Sequence, residues 1–580
     1  MARHPALDAS PLFAGLDDAQ LDAVNGRARP RRFEAGEQLC SAGEPSTEIW
    51  LITGGLVHWL APTTEGGGEL LLRLRKGDVI GAQDTITDEG RSATVVASIT
   101  TSTLELDAQD FIDLARLYPQ ILINLVATQR ARVFRASART AEKERGEEIA
   151  LVAGDSMTRA VGRLVAVARG ASARPVISMD RRLSFAGALT AADDLVGNNA
   201  TVLIPGDLDP ERLAVLLEEV DRVVALVGTA EEADQLGKLG AAAEGHRLEV
   251  VLAGDEAVEA SRSWPADSKV AVVRTCARQD GFPLADADLG WIARHITRTK
   301  LGLALGAGGA KGYAHVGVLQ VLEEAGYVVD YIGGSSIGGF VSSHLALGYD
   351  ATAIDERFRA AFNPDNVSAL FSAPFGGGSA GKEALTQLLK EATEEKSFSD
   401  TVIPLIIMAV DLTDRAPAPQ REGPLWEALM AALAVAGVFP PVEQNGHRLV
   451  DGLALVPVPT ASVVEDGADL VVSVNLMGAE TLERWPDGPE PEPPPERKGR
   501  RGMLDTLLEV MDLSQLDTSS RHAALADVVI TPRFAKADWR DFQLADLFLA
   551  AGRKAALEQL PQLQSLSLPI DLEAGHETVV

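Results

Sequence analysis

The chain has 580 residues, 46% of them hydrophobic and 23% charged, and its 83 acidic against 53 basic side chains give a formal charge of −30. That length exceeds one hydrophobic core and implies about three or four domains, while the acidic balance excludes nucleic acid as a partner and disfavours tight docking on anionic lipid. Two cysteines, Cys40 and Cys276, allow neither a disulfide framework nor a zinc set, no apolar run approaches the roughly 18 residues of a membrane span, and Met1 to Phe13 lacks a signal-peptide core, so a cytoplasmic protein is expected. Arg27, Arg29, Arg31 and Arg32, and again Arg497, Lys498, Arg500 and Arg501, are local basic clusters whose plainer reading is solvated surface.

Pro11 to Asn25 has amphipathic helical spacing, and from Arg31 to Leu106 short alternating runs are punctuated by glycine, which predicts an antiparallel barrel or jelly roll. Phe111 to Val133 returns to a helical period. Gly36-Glu37, Gly43, Gly54-Gly55 and Gly77-Asp78, with Ile80-Gly81-Ala82 and Arg91-Ser92-Ala93, resemble the cyclic-nucleotide-binding domain of catabolite activator proteins and kinase regulatory subunits. The resemblance places a first domain at 1–135 and implies a regulatory cyclic nucleotide held by Gly81, Ala82, Arg91, Ser92 and Ala93, with Arg91 making forked contacts to the phosphate. Ala82 stands where the family has the glutamate that accepts the ribose hydroxyl. Its loss weakens such a site by roughly 1–3 kcal/mol. Gln83 and Asp84 are the candidate substitutes, and a barrel that is structural, or binds something else, is the alternative.

Ser137 to Arg169 is expected to be a helical connector, 136–170, with Glu142 to Glu148 on a solvated face. No basic recognition helix follows it. Val176 to Thr297 alternates strand-like runs (PVISM, ATVLI, RVVALVG, RLEVVLAG, KVAVVRT) with helical ones, the signature of a parallel α/β domain at 171–298. It carries no phosphate-binding glycine motif and is similar to the degenerate nucleotide-domain-like insert of neuropathy-target-esterase relatives, so a spacer is expected.

Leu301 to Leu305 is an apolar strand bounded by glycine, followed by Gly306-Ala307-Gly308-Gly309-Ala310-Lys311-Gly312 and a helical run to Glu324. Val328 to Ile332 repeats the strand signal and runs into Gly334-Ser335-Ser336-Ile337-Gly338, a G-x-S-x-G turn that would present Ser336 above the sheet. A second match, Gly377 to Gly381 around Ser379, follows a proline and a glycine run and lacks the preceding strand. The first glycine loop fits neither a dinucleotide fingerprint nor a P-loop. Its unencumbered N–H groups at a helix N-terminus suit an oxyanion.

GAGGAKG, then GSSIG, then Phe439-Pro440-Pro441-Val442 and Asp451-Gly452 resemble the patatin-like phospholipases, most of all their neuropathy-target-esterase branch, over roughly Lys300 to Leu560. The resemblance implies a Ser336–Asp451 dyad without histidine, an oxyanion hole at Gly308, Gly309 and Ala310, no catalytic cofactor or metal, and a lipid or lysophospholipid substrate. Ala307, Leu453, Val456-Pro457 and Ala436 depart from the family pattern. The domain would span 299–580, with Lys382 to Thr393 helical, Val402 to Val410 a buried strand, and a disordered loop near 483–501. An apolar helical stripe at Met503 to Leu513, closing helices in Ala535 to Leu560 and a frayed tail from Asp571 complete it.

The expected fold is therefore multidomain α/β, with an N-terminal jelly-roll barrel, a central parallel α/β domain and a C-terminal patatin-like α/β hydrolase-type domain. The expected function is a serine esterase acting on (lyso)phospholipid acyl esters under cyclic-nucleotide control, with peripheral contact at the inner face of a membrane and an oligomer among its allowed states. The rival is a ligand-sensing regulatory protein whose hydrolase domain is vestigial.

Overall fold

The computed structural model describes residues 4–570 except 126–146, 180–199, 243–247, 266–269, 278–283, 372–378, 486–502 and some shorter stretches. The chain divides into two compact units, one of Met1–Val165 with Arg174–Asp288 and one of Ala166–Ala173 with Leu289–Val580. The expected disordered loop lies largely outside the described residues, as do the first part of the expected connector and the frayed tail.

In the first unit, β1 (Arg29–Phe33), β2 (Gln38–Cys40), β3 (Glu48–Gly54), β4 (Leu56–Pro62), β5 (Gly68–Arg75), β6 (Val79–Ile80), β7 (Thr94–Ala97) and β8 (Thr101–Asp107) form two antiparallel four-stranded sheets, ordered β1-β8-β3-β6 and β2-β7-β4-β5. Phe33, Trp50, Ile52, Val57 and Ala97 pack in one of their apolar clusters. Trp50, 2% exposed, satisfies its indole N–H on Glu105 Oε2 at 3.0 Å.

The same unit contains six parallel strands, β9 (Glu147–Ala153), β10 (Val176–Ser178), β11 (Thr201–Gly206), β12 (Arg222–Val227), β13 (Leu248–Ala253) and β14 (Val270–Cys276), ordered β10-β11-β9-β12-β13-β14. This corrects the expected connector: Glu147 and Glu148 belong to an interior strand buried along its whole length, and the helix begins only at Thr158. The glutamates misled because their charge suggests water. Here Arg222 reaches Glu147 at 3.3 Å and Glu249 at 2.7 Å, so the charges are paired inside the fold.

β9 and β12 are neighbours at the point where the strand order reverses, where doubly wound sheets usually receive phosphates. In this chain a side chain takes that place. Glu232 accepts hydrogen bonds from Ser156 N–H (2.9 Å), Ser156 Oγ–H (2.6 Å), Gly228 N–H (2.8 Å) and Thr229 N–H (3.2 Å). Burial opposes its ionisation, but these donors outweigh it and hold the carboxyl below its usual pKa. The place of an anion is thus taken by a side chain of the domain itself.

The second unit is built on β15 (Leu301–Leu305), β16 (Tyr331–Ser335), β17 (Leu405–Asp411), β18 (Ala416–Gln420), β19 (Val442–Gln444), β20 (His447–Asp451), β21 (Leu470–Val474) and β22 (Val528–Ile530). Their order is β19-β20-β17-β16-β15-β21-β22, with β18 paired to β17. β15 is fully buried between parallel β16 and β21, which accounts for its unbroken apolar run. Leu305 pairs with Gly334, so the glycine loop leaving β15 and the serine turn leaving β16 emerge side by side.

The unit opens inside the helix Asp286–Thr297 and not at 299. Arg294 on that helix grips Asp330 through Nε and Nη2, both at 2.7 Å, while Asp330 also accepts the Leu301 N–H at 3.0 Å. Both side chains are buried, so removing one charge strands the other. Asp330→Asn is expected to lower the stability of this unit by about 3 kcal/mol, read as a lower urea midpoint of its unfolding transition. An unchanged midpoint contradicts the clamp.

Candidate active site

Ser336 follows the last residue of β16 and caps the helix Ile337–Ala346 with φ 53° and ψ −125°, a backbone conformation that strains a residue with a side chain. The turn closes because its flanking positions are glycine. A Cβ on Gly334 would overlap the Gly338 carbonyl group, and one on Gly338 would overlap Leu305 O. Ser379, the other sequence candidate, begins the helix Ser379–Thr393 with no strand in front of it among the described residues.

Asp451 ends β20, which runs antiparallel to β17 and pairs Asp451 with Ala409. Its Oδ2 accepts a 2.7 Å hydrogen bond from Ser336 Oγ–H, and its Oδ1 accepts the Leu453 N–H at 2.8 Å. The two side chains lie 115 positions apart in the chain, and both are buried, at 6% and 3% exposure. Burial pushes the Asp451 carboxyl up to about 7, against the lowering effect of those two donors.

The loop after β15 is fastened at several points. Gly306 N–H donates to Val474 O at 3.0 Å, Ala307 N–H to Pro457 O at 2.9 Å and Ala310 N–H to Trp539 O at 2.7 Å. The last bond corrects the expected oxyanion trio: the Ala310 N–H is spent on Trp539, which leaves Gly308 and Gly309 as the loop residues lining the same cavity as Ser336. Two departures from the family pattern, Ala307 and Pro457, meet through their backbones. A third, Leu453, serves Asp451 through its N–H, which any residue but proline supplies.

The histidines nearest the motifs are engaged elsewhere. His315 Nε2 lies 2.8 Å from Gly306 O, completely buried, and burial pushes its pKa down to about 4, so the neutral ring donates and braces the loop. His447 Nδ1 lies 2.6 Å from buried Asp411 and 3.5 Å from exposed Asp414. Ser336 opens into a cavity of about 90 Å3 with apolar walls, among them Phe362, Phe439, Trp539 and Phe542. Trp539 has no local motif to announce it.

In the barrel, Arg91 is 3% exposed, its guanidinium 4.7 Å from the Trp50 ring centroid, with Nη2 donating to Glu48 O at 2.6 Å. Nε and Nη1 are buried without a partner among the described residues. Gly81 has φ +83°, and a Cβ there would overlap Nη1, so Gly81 is what admits the guanidinium. Ala82 packs into an apolar cluster with Leu104 and Phe111, and contributes backbone to the turn. Ser92 and Ala93 lie in the bend leading to β7. Glu48 on β3 brings a carboxylate oxygen to 3.8 Å from this guanidinium.

A sheet with parallel central strands that carries Ser336 on a strained strand-to-helix elbow, beside a glycine loop and a buried carboxylate, is an α/β hydrolase-type framework. Residues 303–464 match the patatin-like phospholipase model and residues 30–118 the cyclic nucleotide-binding domain. The chain is 27% identical to an NTE family protein of Mycobacterium tuberculosis, over 96% of this chain and 97% of that one. It is 23% identical to patatin-like phospholipase domain-containing protein 6 of Homo sapiens, over 76% of this chain and 37% of that one. Among solved structures, the catabolite activator protein of Thermus thermophilus is 24% identical over 27% of this chain and 69% of that one, with a TM-score of 0.21. The chain is thus a phospholipase or esterase, built from a cyclic nucleotide-binding jelly roll, a central parallel-sheet domain and a patatin-like phospholipase domain, and NTE-family homologues cover most of its length.

Proposed function

We propose that this enzyme cleaves the acyl ester of a lysophospholipid or phospholipid through Ser336 and Asp451 alone. Asp451 takes the hydroxyl proton as Ser336 attacks the carbonyl, and the Gly308 and Gly309 N–H groups receive the oxyanion. The proton passes to the departing alcohol, and water then cleaves the acyl-enzyme with Asp451 again as base. The observation that carries this reading is the 2.7 Å Ser336–Asp451 hydrogen bond inside an apolar cavity. A carboxyl lifted to about 7 is a far better base than a free aspartate, yet is still about half ionised near neutral pH. The test is fluorophosphonate labelling combined with lysophosphatidylcholine hydrolysis. Absence of both sinks the reading.

The barrel would supply regulation through a cyclic nucleotide, a reading supported by the match of residues 30–118 and by two nitrogens of buried Arg91 that have no partner among the described residues. Arg91→Ala is expected to weaken cyclic AMP or cyclic GMP binding by at least about tenfold, the loss of charge-assisted bonds to a phosphate. Calorimetric titration of wild type and variant checks it, and equal affinities contradict it. Ligand would act by shifting an existing equilibrium between more and less active arrangements.

A further inference from the structure

The cavity beside Ser336 carries a second layer of information. Beyond the serine and the two loop glycines its walls are apolar side chains, with no charged group among them. Such a site recognises the acyl part of an ester and leaves the head group outside. The space is narrow, about 90 Å3, so these apolar walls lie close around any acyl chain that enters.

One wall is aromatic. Phe542 stacks on Phe362 with ring centroids 5.0 Å apart and planes 4° from parallel. Phe362 is in turn pinned edge-on by Phe340 and Phe358, each 5.3 Å away and both fully buried. Phe362 is therefore a fixed wall. Phe542 stands on the short turn Phe542–Leu544, partly buried, three positions after Trp539. Trp539 O is the group that accepts the Ala310 N–H and so fastens the glycine loop. Trp539 and Phe542 both line the cavity, which ties the acyl end of the site to the oxyanion end through one short stretch of chain.

We infer that Phe542 sets the acyl-chain length this enzyme turns over, and that an over-long chain is penalised in kcat because displacing Phe542 drags on Trp539 and the loop it holds. The inference rests on the Ser336 esterase reading and names what that site selects. Short acyl chains would fit with Phe542 against Phe362. Longer ones require it to leave.

The experiment measures kcat and KM for p-nitrophenyl butyrate, octanoate, laurate and palmitate with full-length wild type, Phe542→Ala and Phe542→Leu, the last retaining bulk in case the alanine variant misfolds. Fluorophosphonate labelling of Ser336 is run on each. Removing the ring should raise the palmitate-to-octanoate ratio of kcat by at least about tenfold, the scale on which apolar pockets discriminate by length, with leucine in between. Protection from labelling by fatty acids of graded length should shift the same way. If Ser336 labels and esters are cleaved but both profiles match the wild type in both variants, the inference is overturned and the esterase reading stands. If wild type neither labels nor cleaves any ester, the esterase reading fails and this inference with it.

Discussion

Replacing Ser336 with alanine is expected to abolish ester hydrolysis and fluorophosphonate labelling together, a fall of at least about a thousandfold, because no other group can form the acyl-enzyme. The fold should survive. Removing one small hydroxyl also removes the donor to Asp451, and the elbow's strained φ of 53° remains possible for alanine at the same backbone cost. Ser379→Ala should leave most activity intact, since that serine starts a helix and follows no strand among the described residues. The reverse outcome, with activity lost on changing Ser379 and kept on changing Ser336, would overturn the assignment.

Asp451→Asn should lower kcat by several orders of magnitude with KM little changed, as loss of one member of a catalytic unit does. The pH dependence gives a second, independent readout. Asp451 acts as a base only when ionised, and burial places its pKa near 7, so wild-type kcat should climb as pH rises through about 7 and level off above it. Stability should run the other way. The folded pKa is above the ordinary 3.8, so between roughly pH 4 and 7 the native state holds a proton that the unfolded chain has released. That stabilisation is complete below pH 4 and is lost as pH passes 7. Asparagine cannot ionise, so the variant should gain stability over wild type as pH rises from 5 to 8, on the order of a few kcal/mol at most. A melting-temperature difference that stays flat across that range would mean Asp451 is not held protonated by burial.

His315 stands nine positions after Gly306, and its 2.8 Å contact with Gly306 O and its full burial assign it to bracing the loop. Ala310 is placed otherwise than expected. Motif and resemblance make it an oxyanion donor, yet its N–H is taken by Trp539, a residue more than two hundred positions away that nothing local marks as relevant.

By itself the sequence determined what depends on short-range geometry. The Gly334 to Gly338 elbow, the loop from Gly306 to Gly312, the strands around them and the glycine-punctuated barrel are legible because backbone sterics and the period of side-chain burial act over a few residues. Only the tertiary structure decided which distant groups meet. It paired Glu147 with Arg222 and so turned an apparently solvated acidic run into an interior strand. It filled the switch-point cradle with Glu232, brought Glu48 beside Arg91, and laid Phe542 against Phe362 in the wall of the cavity beside Ser336. A charge suggests water until a counter-charge from another element is placed against it, and a hydrogen bond between residues far apart in the chain exists only once the whole sheet is assembled. Burial of Asp451 and the bond from Ala310 N–H to Trp539 O belong to the same class: both come from the assembled sheet and not from the motifs.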